Sequence, residues 1–463
     1  MEKASVSDDS PDSSTDCDWS QLQADLLLQI FGTLEIPDLF SSGAVCRSWH
    51  LIYLEARRLQ RCSPNQSPCL VYSSGDRDAN MVTLHNMSTN KLYHVTLSEP
   101  AFRTLHVMGS SYGWLITADE RSNLILVNPV TRAQIAMPPP ETMNNVRLRY
   151  TEDGVLDGYD VLYMDLFSRD FDTEMDPYHL TLEEARFYLY ARVALSCDPS
   201  HGNCTVLVVQ LPKDQLSYTR VGDTKWTWID ANPNCWAYQD ILYNNNDGLF
   251  YGVRGRGEVD SIDLNEPSAE VKVILKPIIS YQAHSRYIVQ APWGDFFQIW
   301  RHDKYNKENG ITERVADKFY VYKIDFAKQK LVETNNIQDL AIFIGYNSSF
   351  MLPVKDFSTL IPNSIYHTDD LLDYIFCQRS SLRQAVVFNM KDSSFIELSP
   401  PSSDSRLNWP PSVWIQPSLT RGTRAFTSEG SHLGKQTYLE KLPPLVITTV
   451  QITRLGPLLR LLF

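Results

Sequence analysis

Six times between residues 81 and 398 the chain repeats one local pattern. A run rich in Val, Ile, Leu, Tyr and Phe ends at Asn or Asp and is followed by a second such run. The first runs are Met81 to His85, Leu124 to Val127, Thr205 to Leu211, Val259 to Ile262, Phe319 to Ile324 and Ala385 to Phe388. Their expected partners are Leu92 to Leu97, Ala133 to Met137, Lys225 to Ile229, Val271 to Leu275, Lys330 to Thr334 and Ser394 to Leu398. β-branched and aromatic runs broken at Asn or Asp read as hairpins. The turn residues Asn86, Asn128, Asp214, Asp263, Asp325 and Asn389 are 42, 86, 49, 62 and 64 residues apart. One four-stranded unit per interval, plus insertions, is the spacing of a β-propeller of six blades, with five and seven as the neighbouring counts. The helices that a βαβ fold would place between its strands are missing.

Before Pro64 the periodicity is helical. Leu26, Leu27, Ile30, Phe31 and Leu34 share one face of a helix expected over about Asp25 to Leu34, with Asp25 in its first turn. Pro37 suits the first position of a second short helix that buries Leu39 and Phe40. Val45, Trp49, Ile52, Tyr53 and Ala56 recur at helical spacing over about Ala44 to Leu59. Three helices of this size bury too little surface to stand alone, so their apolar face is expected to complete another surface.

The expected organisation is a disordered acidic leader (1–18), a helical module (19–60), a linker (61–67), the propeller (68–417) and an atypical tail (418–463). Residues 152–184 hold 11 Asp or Glu and one Arg, and read as an acidic inter-blade loop. A net charge of -13 over 463 residues argues against nucleic acid or an anionic membrane as partner. Leu442 to Phe463 is apolar but broken by three prolines and two arginines, a poor membrane span. The leader is Ser/Asp-rich rather than apolar, so the chain is expected inside the cell, in nucleus or cytoplasm, and not secreted. Eight Cys without a Cys-x-x-Cys signal neither a zinc site nor a disulfide framework.

The motifs with chemical potential read better as structure. Gly252, Gly255 and Gly257 lie between two strand-like runs with no helix after them, so a hairpin turn outweighs a phosphate loop. Asp165, Asp170, Asp172, Glu174 and Asp176 lack the spacing of a calcium loop. Histidines 94, 106, 179, 201 and 284 have no carboxylate or Cys at ligand spacing, and no hydrolase or zincin motif occurs. Trp226, Trp228, Trp236, Trp293, Trp300, Trp409 and Trp414 suit inter-blade core better than a recognition surface. No catalytic residue, metal or cofactor is expected.

Trp19-x-x-Leu22, Asp25-Leu26-Leu27-x-x-Ile30-Phe31-x-x-Leu34 and Val45-Cys46-Arg47-x-Trp49 together resemble an F-box. Gly109-Ser110-Ser111-x-Gly113-Trp114-Leu115, Asn128-Pro129-x-Thr131, Leu195-Ser196-x-Asp198-Pro199, Gly222-Asp223-x-x-Trp226-Thr227, Asn363-Ser364-Ile365-Tyr366 and Trp409-Pro410-Pro411-x-x-Trp414 extend the likeness. From Trp19 to about Ser418 the chain resembles plant F-box proteins that carry a KIB-type β-propeller. The resemblance implies a small all-α F-box of three helices ahead of an all-β propeller, acting as the substrate-recognition subunit of an SCF-type E3 ubiquitin ligase. It implies that Leu22, Leu26, Leu27, Ile30, Phe31, Leu39, Val45 and Trp49 are divided between the module's own core and contact with the SKP adaptor. That adaptor would bridge to cullin and RING subunits, while the propeller would hold a target protein not named by the sequence. The rival readings are a non-degradative F-box scaffold or inhibitor that sequesters its target, and a propeller enzyme. Where many F-boxes have Leu-Pro, this chain has Leu22-Gln23.

Overall fold

The computed structural model describes residues 19–73, 78–164, 171–172, 176–211, 215–229, 238–265, 269–278, 283–308, 311–370, 385–398 and 410–419. The leader 1–18 and the tail beyond Leu419 lie outside them, as do Trp236, Trp409, Asp165, Asp170 and Glu174.

A single turn at Trp19–Gln21 precedes α1 (Ala24–Phe31), α2 (Ile36–Ser42) and α3 (Arg47–Arg58). Pro37 sits in the first turn of α2 as its fixed φ allows. The third helix starts three residues later than its periodicity implies because Cys46 is extended (φ -157°, ψ 173°). Gly43 ends α2 against the Tyr53 ring, where a Cβ would come within 2.6 Å of a ring carbon. Only glycine fits that approach.

From Cys69 the regular elements of the described chain are almost all strands. Sheet I joins Leu92–Thr96, Met81–Asn86 and Cys69–Ser73 to the far C-terminal strand Val413–Ile415. Sheet II runs His106–Ser111, Trp114–Ala118, Leu124–Val127 and Gln134–Ala136. Sheet III runs Arg192–Leu195, Thr205–Gln210, Gln215–Arg220 and Thr227–Ile229. Sheet IV runs Tyr238–Asn244, Leu249–Arg254, Val259–Asp263 and Glu270–Leu275. Sheet V runs Ser285–Gln290, Phe296–Glu308, Ile311–Asp325 and Lys330–Thr334. Sheet VI has five strands, Phe350–Pro353, Leu340–Ile344, Ser364–Thr368, Ala385–Asn389 and Ser394–Glu397, its second and third parallel.

Five of the six expected hairpins form with their expected partners. The exception is Thr205–Gln210, which pairs with Gln215–Arg220 rather than with the run ending at Ile229. Leu216, Tyr218 and the polar residues between them alternate as a strand should, and Thr227–Ile229 is displaced to the outer edge. The glycine motif is a hairpin: Gly252 lies inside a strand, and Gly257 takes φ +80° in the turn that follows.

The sheets close a ring. The first strands of sheets II, III, IV and V touch in succession, Val413–Ile415 touches the first strand of sheet II, and Ser285–Gln290 touches Phe350–Pro353. Between each pair of sheets lies an apolar cluster: Leu207, Val209 and Ile229 meet Ile241 and Phe250, and Ala341, Phe343 and Tyr366 meet Leu70, Tyr72 and Trp414. Pairing of Val413–Ile415 with Cys69–Val71 joins the two ends of the ring through backbone hydrogen bonds.

The acidic stretch differs from its expectation as a loop. Its Leu156–Val161 and Tyr178–Thr181 form a three-stranded sheet with Val146–Tyr150, and a short helix, α4 (Leu182–Tyr188), follows with a complete Thr181–Glu184 capping box. Tyr159, Val161, Leu180 and Ala185 pack into the cluster between sheets II and III. Within it Asp160 stands between the buried Tyr159 and Val161, and Leu180 is the buried residue of its strand.

The tryptophans divide. Trp226, Trp300 and Trp414 are buried as expected, but Trp293 is exposed at a turn of sheet V, where its indole N–H donates to Asp295 at 2.7 Å.

At the hub of the ring are paired charges. Asp370 accepts from Arg192 and Arg301, both at 2.6 Å, and from Tyr287 at 3.0 Å. Burial pushes its carboxyl up, but the two guanidiniums outweigh burial and hold it well below the usual range. Asp240 accepts from Ile288 N and Ser349 Oγ; burial lifts it to about 6 against the pull of Arg192. His367 Nε2 accepts from Arg301 Nη1 at 2.9 Å, and burial, then Arg301, lowers it to about 3.

Candidate functional site

The three helices have an inward and an outward face. Leu27, Phe31, Ile36, Leu39, Tyr53 and Ala56 are buried in one cluster with Cys69, Val71, Val82, Leu84 and Val95 of sheet I. The propeller thus covers most of the apolar stripe that the module cannot bury by itself. Each of the Leu, Ile, Phe and Val side chains among them contributes about 1.5–3 kcal/mol relative to exposure.

Polar contacts fix the angle of that joint. The backbone N–H of Ile36, in the first turn of α2, lacks a partner within the helix and no side chain of α2 caps it. Gln66 of the linker supplies its Oε1 at 2.8 Å. Glu35 accepts from Ser67 Oγ at 2.6 Å and from Asn86 Nδ2 at 2.7 Å. Asp38 accepts from Lys91 Nζ at 2.9 Å and from the Tyr93 hydroxyl at 2.9 Å, and burial, with Asp38 beside it, pushes that hydroxyl's pKa up. Asp38 also sits at the positive end of α2. Linker and sheet I together hold the module.

Outward, the picture reverses. Leu26 is 47% exposed, Val45 57% and Leu51 58%. Leu22, Ile30 and Trp49 are half-buried against the same cluster that swallows Leu27, Phe31 and Leu39. Leu26 and Ile30, four residues apart, lie on one stripe of α1 beside the buried one. Trp49 packs edge-on to Phe31 at 5.7 Å between centroids, and its indole N–H donates to Trp19 O at 3.1 Å. Of the eight residues named from the sequence, then, Leu27, Phe31 and Leu39 are interior, Leu26 and Val45 are exposed, and Leu22, Ile30 and Trp49 stand between. The sequence reading missed Trp19, Leu51, Leu54 and Leu59 as exposed apolar residues. Leu51 falls off the Val45, Trp49, Ile52, Tyr53, Ala56 stripe, and that signal was available. It also missed Glu35 and Asp38, whose partners lie as many as 55 residues away, and nothing local marks them.

Gln23 precedes α1 with φ -58° and ψ 138° and gives no side-chain cap. Among the described residues no group of His, Cys, Asp or Glu is placed to hold a metal, and no helix is long and apolar enough to cross a membrane.

A small helical module with exposed apolar side chains, packed against a closed ring of sheets, is the class of molecule the fold defines. A family model described as the KIB1-4 beta-propeller matches residues 82–389, and one described as the F-box domain matches residues 19–52. The chain belongs to the KIB1-4 beta-propeller family and carries an F-box domain at its N-terminal end. It is 22% identical to F-box protein SKIP23 of Arabidopsis thaliana, over 86% of this chain and 95% of that protein. Against F-box only protein 7 of the same plant it is also 22% identical, over 73% of this chain and 82% of that protein.

Proposed function

We propose that this protein is the substrate-recognition subunit of an SCF-type E3 ubiquitin ligase. The observation that carries the reading is the bare apolar strip of the F-box, Leu26 and Val45 flanked by Leu22, Ile30 and Trp49. The SKP adaptor covers this strip, with Leu27, Phe31 and Leu39 supporting it from behind. Removing exposed apolar surface from water is the main favourable term in most protein–protein association. Through the adaptor the chain reaches the cullin and RING subunits.

Each of sheets I to VI counts as one blade, giving a six-bladed platform over residues 68–417 for a protein target. Such a receptor supplies no catalytic group. It raises the effective concentration of target lysines near an activated thioester, and that gain depends on a fixed distance between platform and adaptor. Glu35 and Asp38 fix it. The protein acts inside the cell, in the nucleus or the cytoplasm, where the ubiquitin machinery works.

Proximity labelling in cells, with the intact chain and with Leu26→Asp plus Val45→Asp, tests this reading. Neighbours of the intact chain are expected to accumulate when the proteasome is inhibited, and to be equally long-lived with the variant before inhibition. Neighbours whose turnover ignores both treatments would make the protein a sequestering scaffold instead.

A further inference from the structure

We propose that Cys197 and Cys204 form a redox-responsive dithiol that closes to a disulfide across the mouth of the sheet III hairpin, with a hydroperoxide as oxidant. Leu195 faces Val206 in that hairpin. Beyond it Ser196 N donates to Thr205 O at 2.9 Å, and Thr205 N donates to Ser196 Oγ at 2.8 Å. One step further in the same register, Cys197 faces Cys204. Facing residues of an antiparallel pair have Cα atoms about 4.5–5.5 Å apart. That falls inside the roughly 4.4–6.8 Å a disulfide requires.

Both thiols are free, with Cys204 buried and Cys197 half-exposed. Cys204 Sγ donates to the carbonyl oxygen of Cys197 at 3.0 Å, so the sulfur already lies against the other residue. A side-chain interaction between the two thiols lowers Cys197 to about 7, against burial and with help from Ser196. The same thiol–thiol interaction, and then burial, push Cys204 well up. The thiolate is the nucleophile, so the accessible residue attacks and the buried one resolves. Burial alone pushes up Cys62, and Cys69 faces Asn86 and Ile415 rather than a thiol.

The steps balance. The Cys197 thiolate attacks the O–O bond, forming Cys–SOH and releasing alkoxide or hydroxide, which takes up the proton Cys197 gave to solvent. Cys204 sulfur then attacks the sulfenic sulfur; the S–O bond breaks, and hydroxide leaves with the Cys204 proton as water. Two thiols are oxidised by two electrons in all, and one peroxide is reduced. The segment so closed carries Asp198, which accepts from the Trp114 indole at 3.0 Å, and just before it Ser196 O accepts from Tyr112 at 3.3 Å. Tyr112 also donates to Asn245 at 3.2 Å. The crosslink therefore sits where sheets II, III and IV meet at one end of the ring.

The test uses the reduced full chain, pulsed with hydrogen peroxide at neutral pH, alkylated and digested with trypsin. Cleavage after Arg192 and Lys213 leaves both cysteines on one peptide. The first oxidation product is expected to be that peptide lacking two hydrogens and unalkylated, restored by dithiothreitol. Cys204→Ser, or Cys204→Ala if the serine disturbs folding, is expected to leave Cys197 as a sulfenic acid that dimedone traps. Cys197→Ser is expected to make Cys204 oxidise roughly ten times more slowly. If the wild-type peptide stays reduced while other cysteines oxidise, or if Cys197 proceeds to sulfinic acid without linking to Cys204, the proposal fails.

Discussion

The two faces of the F-box carry similar residues and meet different fates. Leu27, Phe31 and Leu39 look inward and are sealed by sheet I, whereas Leu26 and Val45, as apolar and as close in sequence, look outward and remain bare. A three-helix unit can leave one apolar face open only if the other is supported. Here the support is the propeller's first sheet, clamped by Glu35, Asp38 and Gln66. On the proposed reading the inward face governs stability, and the outward face governs association.

That division can be broken most severely from inside. Phe31→Ala is expected to cost about 3–5 kcal/mol by emptying a site lined by Trp49 and sheet I. The module should then become sensitive to protease, and adaptor binding should fall with it. Glu35→Ala leaves Ser67 and the buried Asn86 amide without their acceptor, at about 1–3 kcal/mol. A lowered melting temperature with adaptor affinity retained would show that the clamp serves the joint rather than the contact.

Acid should separate the ring from the outward strip. His367 is held neutral in the fold to about 3, so below about 6.5 an unfolded chain takes up a proton that the folded one refuses. Its contribution is complete above 6.5 and is lost as the pH falls toward 3. Asp240 works the other way: its folded value of about 6 weakens the fold above that pH and relieves it as the pH falls toward 4. His367→Asn is expected to flatten the decline of melting temperature between pH 6 and 4, and an unchanged slope would remove His367 from that role. The smallest effect is at Gln23, whose φ of -58° already suits proline. Gln23→Pro should stabilise by about 0.4–1 kcal/mol, read as a small rise in melting temperature.

Much of the architecture was legible because hairpins are local. Alternation and Asn or Asp turns located five of six pairings, and failed only where Gln215–Arg220 interposed a more polar strand. The acidic stretch misled because net charge concealed the alternation that buries Tyr159, Val161 and Leu180. The site was half legible. Helical periodicity identifies an apolar stripe but not its cover, since sheet I reaches the helices from residues 69–95. The same blindness hid the Cys197–Cys204 pair, which spacing motifs pass over and strand register brings together.

The account rests on the outward strip being an adaptor contact that stability does not need. Leu26→Asp plus Val45→Asp, made in the full chain, should leave the melting temperature within about 1 kcal/mol equivalent of the parent, as expected for exposed sites. The same variant should abolish co-purification with the SKP adaptor. Unchanged adaptor binding by a folded variant would contradict the account at its centre.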